Sequence, residues 1–145
     1  MNDQPLHLRA EQDGDPVLRT VYDEVGGMDA FETLCRRFYD AVQQDAVLWP
    51  MYPHDDLEGA IWRLSRFLGQ YWGGPSTYSS MRGHPRLRMR HMPFHVNPDA
   101  RDRWLKHMTA ALDSMGWPPM VRAQMDDYFD RAATSMVNTF EPTPE

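Results

Sequence analysis

With one cysteine in 145 residues, Cys35, the chain cannot form an internal disulfide or a cysteine-rich zinc site. No apolar run approaches the ~20 residues that a bilayer-spanning helix needs. The opening MNDQPLHLRAEQDGDP lacks the basic start and apolar segment of a secretion signal. The cytoplasm is therefore the expected compartment, with no integral membrane segment. Internal repeats and low-complexity tracts are missing, as are an HExxH motif and any paired carboxylate–histidine pattern. Strand-like alternation is absent outside one short basic stretch. Residues 1–18 are polar, proline- and glycine-punctuated and without periodicity, which predicts a mobile N-terminal tail.

What remains is ordinary in bulk and unusual in detail. The length suits one domain with a well-covered core, and 41% hydrophobic with 25% charged residues is typical of a globular protein. Five Trp, six Tyr, six Phe and eleven Met are many for this length, and a flat aromatic cofactor would account for some of them. A short helix is expected from Thr20 to Val25, broken by Gly26-Gly27. Asp29 and Glu32 form a capping-box-like pattern, and Phe31, Leu34, Cys35, Phe38, Tyr39 and Val42 follow as an apolar stripe. Asp55 or Asp56 caps a second stripe of Leu57, Ile61, Leu64, Leu68 and Tyr71 or Trp72, stopped at Gly73-Gly74-Pro75. Asn97-Pro98 starts a third helix, which carries Trp104, Leu105, Met108, Ala111, Leu112 and Met115 and ends at Gly116. A last helix after Pro118-Pro119 presents Val121, Met125, Tyr128 or Phe129, Ala132, Met136, Val137 and Phe140. Four substantial amphipathic helices predict an all-α domain over residues 19–140, between tails at 1–18 and 141–145. Cys35 fits as a small core residue.

The segment Arg82–His95, RGHPRLRMRHMPFH, holds four arginines and three histidines and no acid, in a chain of net charge −6. Such a patch on an acidic chain points to a specific anionic ligand more than to general polyanion affinity. Alternation over Arg86–Arg90 suits a strand that would have no partner. Clustered arginines suit nucleic acid, but overall acidity and the lack of basic helix faces argue against an extended footprint. His91 and His95 stand four apart, as zinc on a helix would require, yet Pro93 between them removes that helix; His84 precedes Pro85 and is expected to be extended. A single imidazole on haem iron, with guanidinium groups on the propionates, accounts for ligand type and charge together.

The same stretch, extended to YWGGPSTYSSMRGHPRLRMRHMPFHV (Tyr71–Val96), resembles the signature of the group II truncated haemoglobins, the O-type bacterial globins. The likeness continues through VYDEVGG, RRFYDAV, MYPHDDL, RDRWLKHM and MVN, and so covers roughly Val21 to Phe140. It implies a two-over-two helical sandwich around one haem b. By motif position His91 is the iron ligand, and Arg90 and Tyr78 meet the propionates. Phe67 and Leu68 wall the haem, and Tyr39, Tyr52, Ala60, Leu64 and Trp104 lie on the ligand side. The remaining arginines are equally suited to solvent or to pairing with acids. Ala60 opens space where larger oxygen-carrying globins place a histidine, so polar control of the ligand passes to Tyr39, Tyr52 and Trp104. Bound O2 carries partial negative charge, and donors aimed at it would slow its release.

The resemblance thus implies a haem protein binding O2, CO and NO, with slow release. Such a protein serves as an oxygen carrier, or as a nitric oxide dioxygenase or peroxidase-type enzyme fed by an external reductase. A homodimer is among the assemblies that similar proteins adopt, and nucleic acid is not an expected partner.

Overall fold

The computed structural model describes residues 6–10, 16–84, 86, 94 and 96–140. Two short strands, β1 (Leu6–Ala10) and β2 (Pro16–Thr20), pair antiparallel with Leu6 opposite Thr20 and Ala10 opposite Pro16. Within the expected tail, these residues are therefore paired as strands. Each strand is only five residues long, too short for alternation to show against a polar background.

Thr20 ends β2 and also caps α1 (Val21–Val25), its side chain accepting from the Asp23 N–H at 3.2 Å. Gly26 and Gly27 follow at φ 109° and 80°, a left-handed turn that a Cβ would oppose. Helix α2 (Met28–Val42) starts directly after Gly27, so Asp29 lies in its first turn and is not the cap. Glu32 pairs with Arg66 of the next long helix, and the expected capping box does not form. Phe31, Leu34, Cys35, Phe38, Tyr39 and Val42 are all buried, at the 3–4 spacing of one helix face.

A turn of 3-10 helix, Trp49–Met51, lies in the connection to α3 (Leu57–Tyr71). Asp56 caps α3 by accepting from Gly59 N–H. Helix α4 (Thr77–Arg82) follows α3 and reaches the first residue of the basic stretch. Asn97 caps α5 (Pro98–Met115) through the Ala100 N–H at 2.8 Å, and Gly116 ends it in the left-handed region. Helix α6 (Pro119–Ser135) stops before the expected Met136, Val137 and Phe140. Its path is turned by Val96, whose carbonyl accepts from the N–H groups of Asn138 and Thr139 while its own N–H donates to Asn138 Oδ1 at 2.9 Å. Phe140 is consequently 83% exposed.

The long helices pack as two pairs, α2 on α3 and α5 on α6, with α2 also against α5. This is the two-over-two arrangement, with Phe31, Phe38, Leu34, Met108, Leu112 and Met125 fully buried at its centre. Each such side chain contributes roughly 1.5–3 kcal/mol on leaving water. No helix among the described residues is long and apolar enough to cross a membrane.

Candidate functional site

The helix pairs do not close on each other. A cavity of ≈ 420 Å³ lies between them, within the size range of small-molecule and cofactor sites. Ala60, Leu64, Phe67 and Leu68 supply its α3 wall, at the spacing that puts them on one face. Phe129, Ala132, Ala133 and Met136 form the opposite wall by the same rule, Phe38 and Tyr39 come from α2, and Ala100 and Trp104 from α5. The α2–α3 connection adds Leu48, Met51, Tyr52 and Pro53. Phe94 and Val96, which flank the C-terminal end of the basic stretch, also line it.

Polar hydrogens gather at one end of this apolar space. The rings of Tyr39 and Tyr52 meet edge to face, 5.5 Å apart at 89°, and Phe38 fills the space between Tyr39 (5.2 Å) and Trp104 (5.0 Å). Burial pushes the Tyr52 phenol up to about 12, opposed by a hydrogen bond that its oxygen accepts from the Trp104 indole. Burial also raises Tyr39 far above the ordinary phenol range, with Tyr52 and Cys35 adding to the effect. Both phenols are therefore neutral at physiological pH and keep a proton to donate. No hydrogen bond from the Tyr39 hydroxyl is found among the described residues, and on the cavity wall it is placed to donate to a ligand that accepts one.

The rim is basic. Arg63, Arg82 and Arg101 all reach the cavity. Arg63 pairs with Asp56 at 3.1 Å, and Arg101 bonds to Asp102 and Thr134. Exposed Arg82 has no ion-pair partner among the described residues. Tyr78 is buried against Phe67, ring centroids 5.5 Å apart. The arrangement suits an apolar body with an anionic edge and a small hydrogen-bond-accepting group. No cluster of three or more His, Cys, Asp or Glu occurs among the described residues, so the protein's own side chains there offer no cage for a bare metal ion.

Eight of the residues singled out from sequence line this one cavity: Tyr39, Tyr52, Ala60, Leu64, Phe67, Leu68, Tyr78 and Trp104. His91 and Arg90 lie outside the described residues, as does His95. Arg63, Arg82 and Arg101 line the cavity too, although local sequence assigns none of them to the site. Arg63 did carry a signal, standing three residues after Ala60 and four before Phe67 on the same face. Nothing local marks Tyr128 or Met51 as cavity residues rather than core.

The family model for bacterial-like globins matches residues 20–138. The chain belongs to that family, in its group II truncated branch. It is 36% identical over 118 residues to the group 2 truncated haemoglobin YjbI of Bacillus subtilis (strain 168), covering 81% of this chain and 89% of that one. Among solved structures it is similar to a thermostable haemoglobin from the actinobacterium Thermobifida fusca. There the identity is 53% and the TM-score 0.81, over 85% of this chain and 100% of that one. The group II truncated haemoglobin of Bacillus anthracis matches at 36% identity and TM-score 0.81, covering 86% of this globin and 95% of its own chain. Membership implies haem and, with it, binding of O2 and like diatomics. The cavity fits that group: its walls are apolar, its rim carries guanidinium groups for carboxylates, and its donors converge at one end.

Proposed function

We propose that this globin binds haem b through His91 and holds O2, CO or NO against Tyr39, Tyr52 and Trp104, releasing O2 slowly. The observation that carries this is the cluster of neutral donors at one end of an apolar cavity, with Ala60 leaving room beside it. When bound, haem supplies the iron that takes the diatomic. The chain does the rest. Phe67 and Leu68 exclude water from one flank, and Arg90, Tyr78 and the observed rim cations Arg63 and Arg82 meet the propionates. Trp104 donates to Tyr52, which leaves the Tyr52 proton free to turn toward a ligand.

Slow release favours a redox use over bulk transport. Repeated oxidation of nitric oxide to nitrate would then need electrons from a separate reductase, whereas peroxide-driven oxidation would take its electrons from the substrate it oxidises. Mixing the O2-loaded protein with nitric oxide, with and without such a reductase, separates the two: a single burst without turnover identifies a carrier.

The purified protein is expected to show a Soret band, and its absence overturns the proposal. His91→Ala is expected to lose stoichiometric haem binding. Retained haem with an unchanged ferrous spectrum would remove His91 from the iron.

A further inference from the structure

Asp45 has no part in the cavity wall, yet it is among the most engaged side chains of the protein. It lies three residues beyond α2 with its side chain 4% exposed. Oδ1 accepts from the N–H groups of Val47 (2.9 Å) and Leu48 (3.2 Å) and from the Arg103 guanidinium (3.2 Å). Oδ2 meets His107 Nε2 at 2.7 Å. Its main chain is tied as well, the N–H donating to Val42 and the carbonyl accepting from Trp49 N–H at 2.9 Å. A carboxylate is held this deeply only when its oxygens are matched by donors and opposite charge.

The placement of those donors is what matters. Arg103 and His107 are four apart on α5 and share a face, and Trp104 belongs to the same turn. On the other side, the corner that Asp45 organises leads directly through Leu48 and Met51 to Tyr52 on the cavity wall. This corner has only one turn of 3-10 helix to stiffen it. Tyr52 and Trp104, both on the cavity wall, are thus carried by segments that meet at Asp45.

We propose that Asp45, with His107 and Arg103, is a positioning residue for the ligand-binding end of the cavity: it clamps the corner carrying Tyr52 to the helix carrying Trp104, and so sets how firmly a bound diatomic is retained. This rests on the haem-binding function proposed above.

The test uses the haem-loaded protein and two readouts. One is the O2 dissociation rate; the other is the indole ¹H–¹⁵N resonance of Trp104 in the ferrous CO form, assigned by its loss in Trp104→Phe. Asp45→Asn keeps an oxygen for the two backbone N–H groups but removes the charge facing α5. His107→Ala removes one of the two α5 partners without touching the corner. Both are expected to move the Trp104 resonance and speed O2 release roughly threefold or more, the effect of weakening one net hydrogen bond. His107→Gln, which restores a donor, is expected to return both readouts toward wild type. Val121→Ala, a buried change on α6 outside the cavity wall, is the control for general loosening of the core. If Asp45→Asn does not fold, His107→Ala carries the test alone. Variants whose resonance and rate stay within the range of the Val121→Ala control overturn the clamp and leave the haem assignment standing. A wild-type protein without a Soret band overturns the haem assignment itself.

Discussion

Trp104 and Tyr52 bring an indole and a phenol to the same end of the cavity. An indole N–H can only donate, so Tyr52 must accept from it, and the phenol's own proton is left to point elsewhere. Trp104→Phe removes that constraint and the indole N–H together. Loss of about 1 kcal/mol of hydrogen bonding is expected to raise the O2 dissociation rate about fivefold in stopped-flow displacement. Asp45 gives a prediction of a different kind. Burial raises its carboxyl, but hydrogen bonds from His107, Leu48 and Val47 and the charge of Arg103 outweigh it, so the folded value lies below the ordinary 3.8. The stability this confers is complete above the unfolded value and is lost as pH falls through the lower folded one. Asp45→Asn is therefore expected to be less stable at pH 7 by about 1–3 kcal/mol and to lose less stability than wild type on acidification below pH ~4. Urea unfolding across that range checks both halves.

Among the elements, the junction of β2, α1 and the end of α3 has the tightest geometry. Tyr22 N–H donates to the Trp72 carbonyl at 2.9 Å, and Trp72 is 1% exposed beneath the junction. Gly73 follows at φ 110°, where a Cβ would collide with the Thr20 side chain. Gly116, at the end of α5, also has positive φ, but a Cβ there meets nothing within 4 Å. The two glycines separate backbone strain from crowding. Gly116→Ala is expected to cost about 1 kcal/mol from conformation alone. Gly73→Ala is expected to cost at least about twice that, because Thr20 must move as well. Chemical denaturation of the two variants side by side measures the difference.

At the scale of the whole molecule, two helix pairs are held apart by the side chains that wall a cavity of ≈ 420 Å³. An apolar space of that size forgoes much of the dispersion energy that close packing would supply. Binding of haem to the folded state alone restores those contacts and shifts the unfolding equilibrium by mass action. With haem at about a thousand times its dissociation constant the gain is roughly 4 kcal/mol, or on the order of 10 °C in Tm for a chain of this size. Calorimetry of haem-free and haem-loaded protein is expected to show that shift, and equal melting temperatures would contradict it.

Local chemistry in the sequence determined the four long helices, their stripes and several of their ends. Asn97-Pro98, Asp56 and Gly116 act through bonds within a few residues of themselves, so their roles do not depend on the rest of the fold. The residues lining the cavity from α2, α3 and α5 were legible for a related reason: helical spacing fixes which side chains share a face, and the family motif states which face meets the ligand. Tertiary structure decided the rest. The pairing of Leu6–Ala10 with Pro16–Thr20 needs both strands at once, and α6 ends at Ser135 because Val96, some 40 residues earlier, captures Asn138. Asp45 reads from sequence as one more polar residue in a connection. Its place between Tyr52 and Trp104 exists only because folding brings Arg103 and His107, about 60 positions away, onto its two oxygens. Contacts made at such separation leave no local pattern, because neither partner's neighbours change the chemistry of the other until the chain has folded.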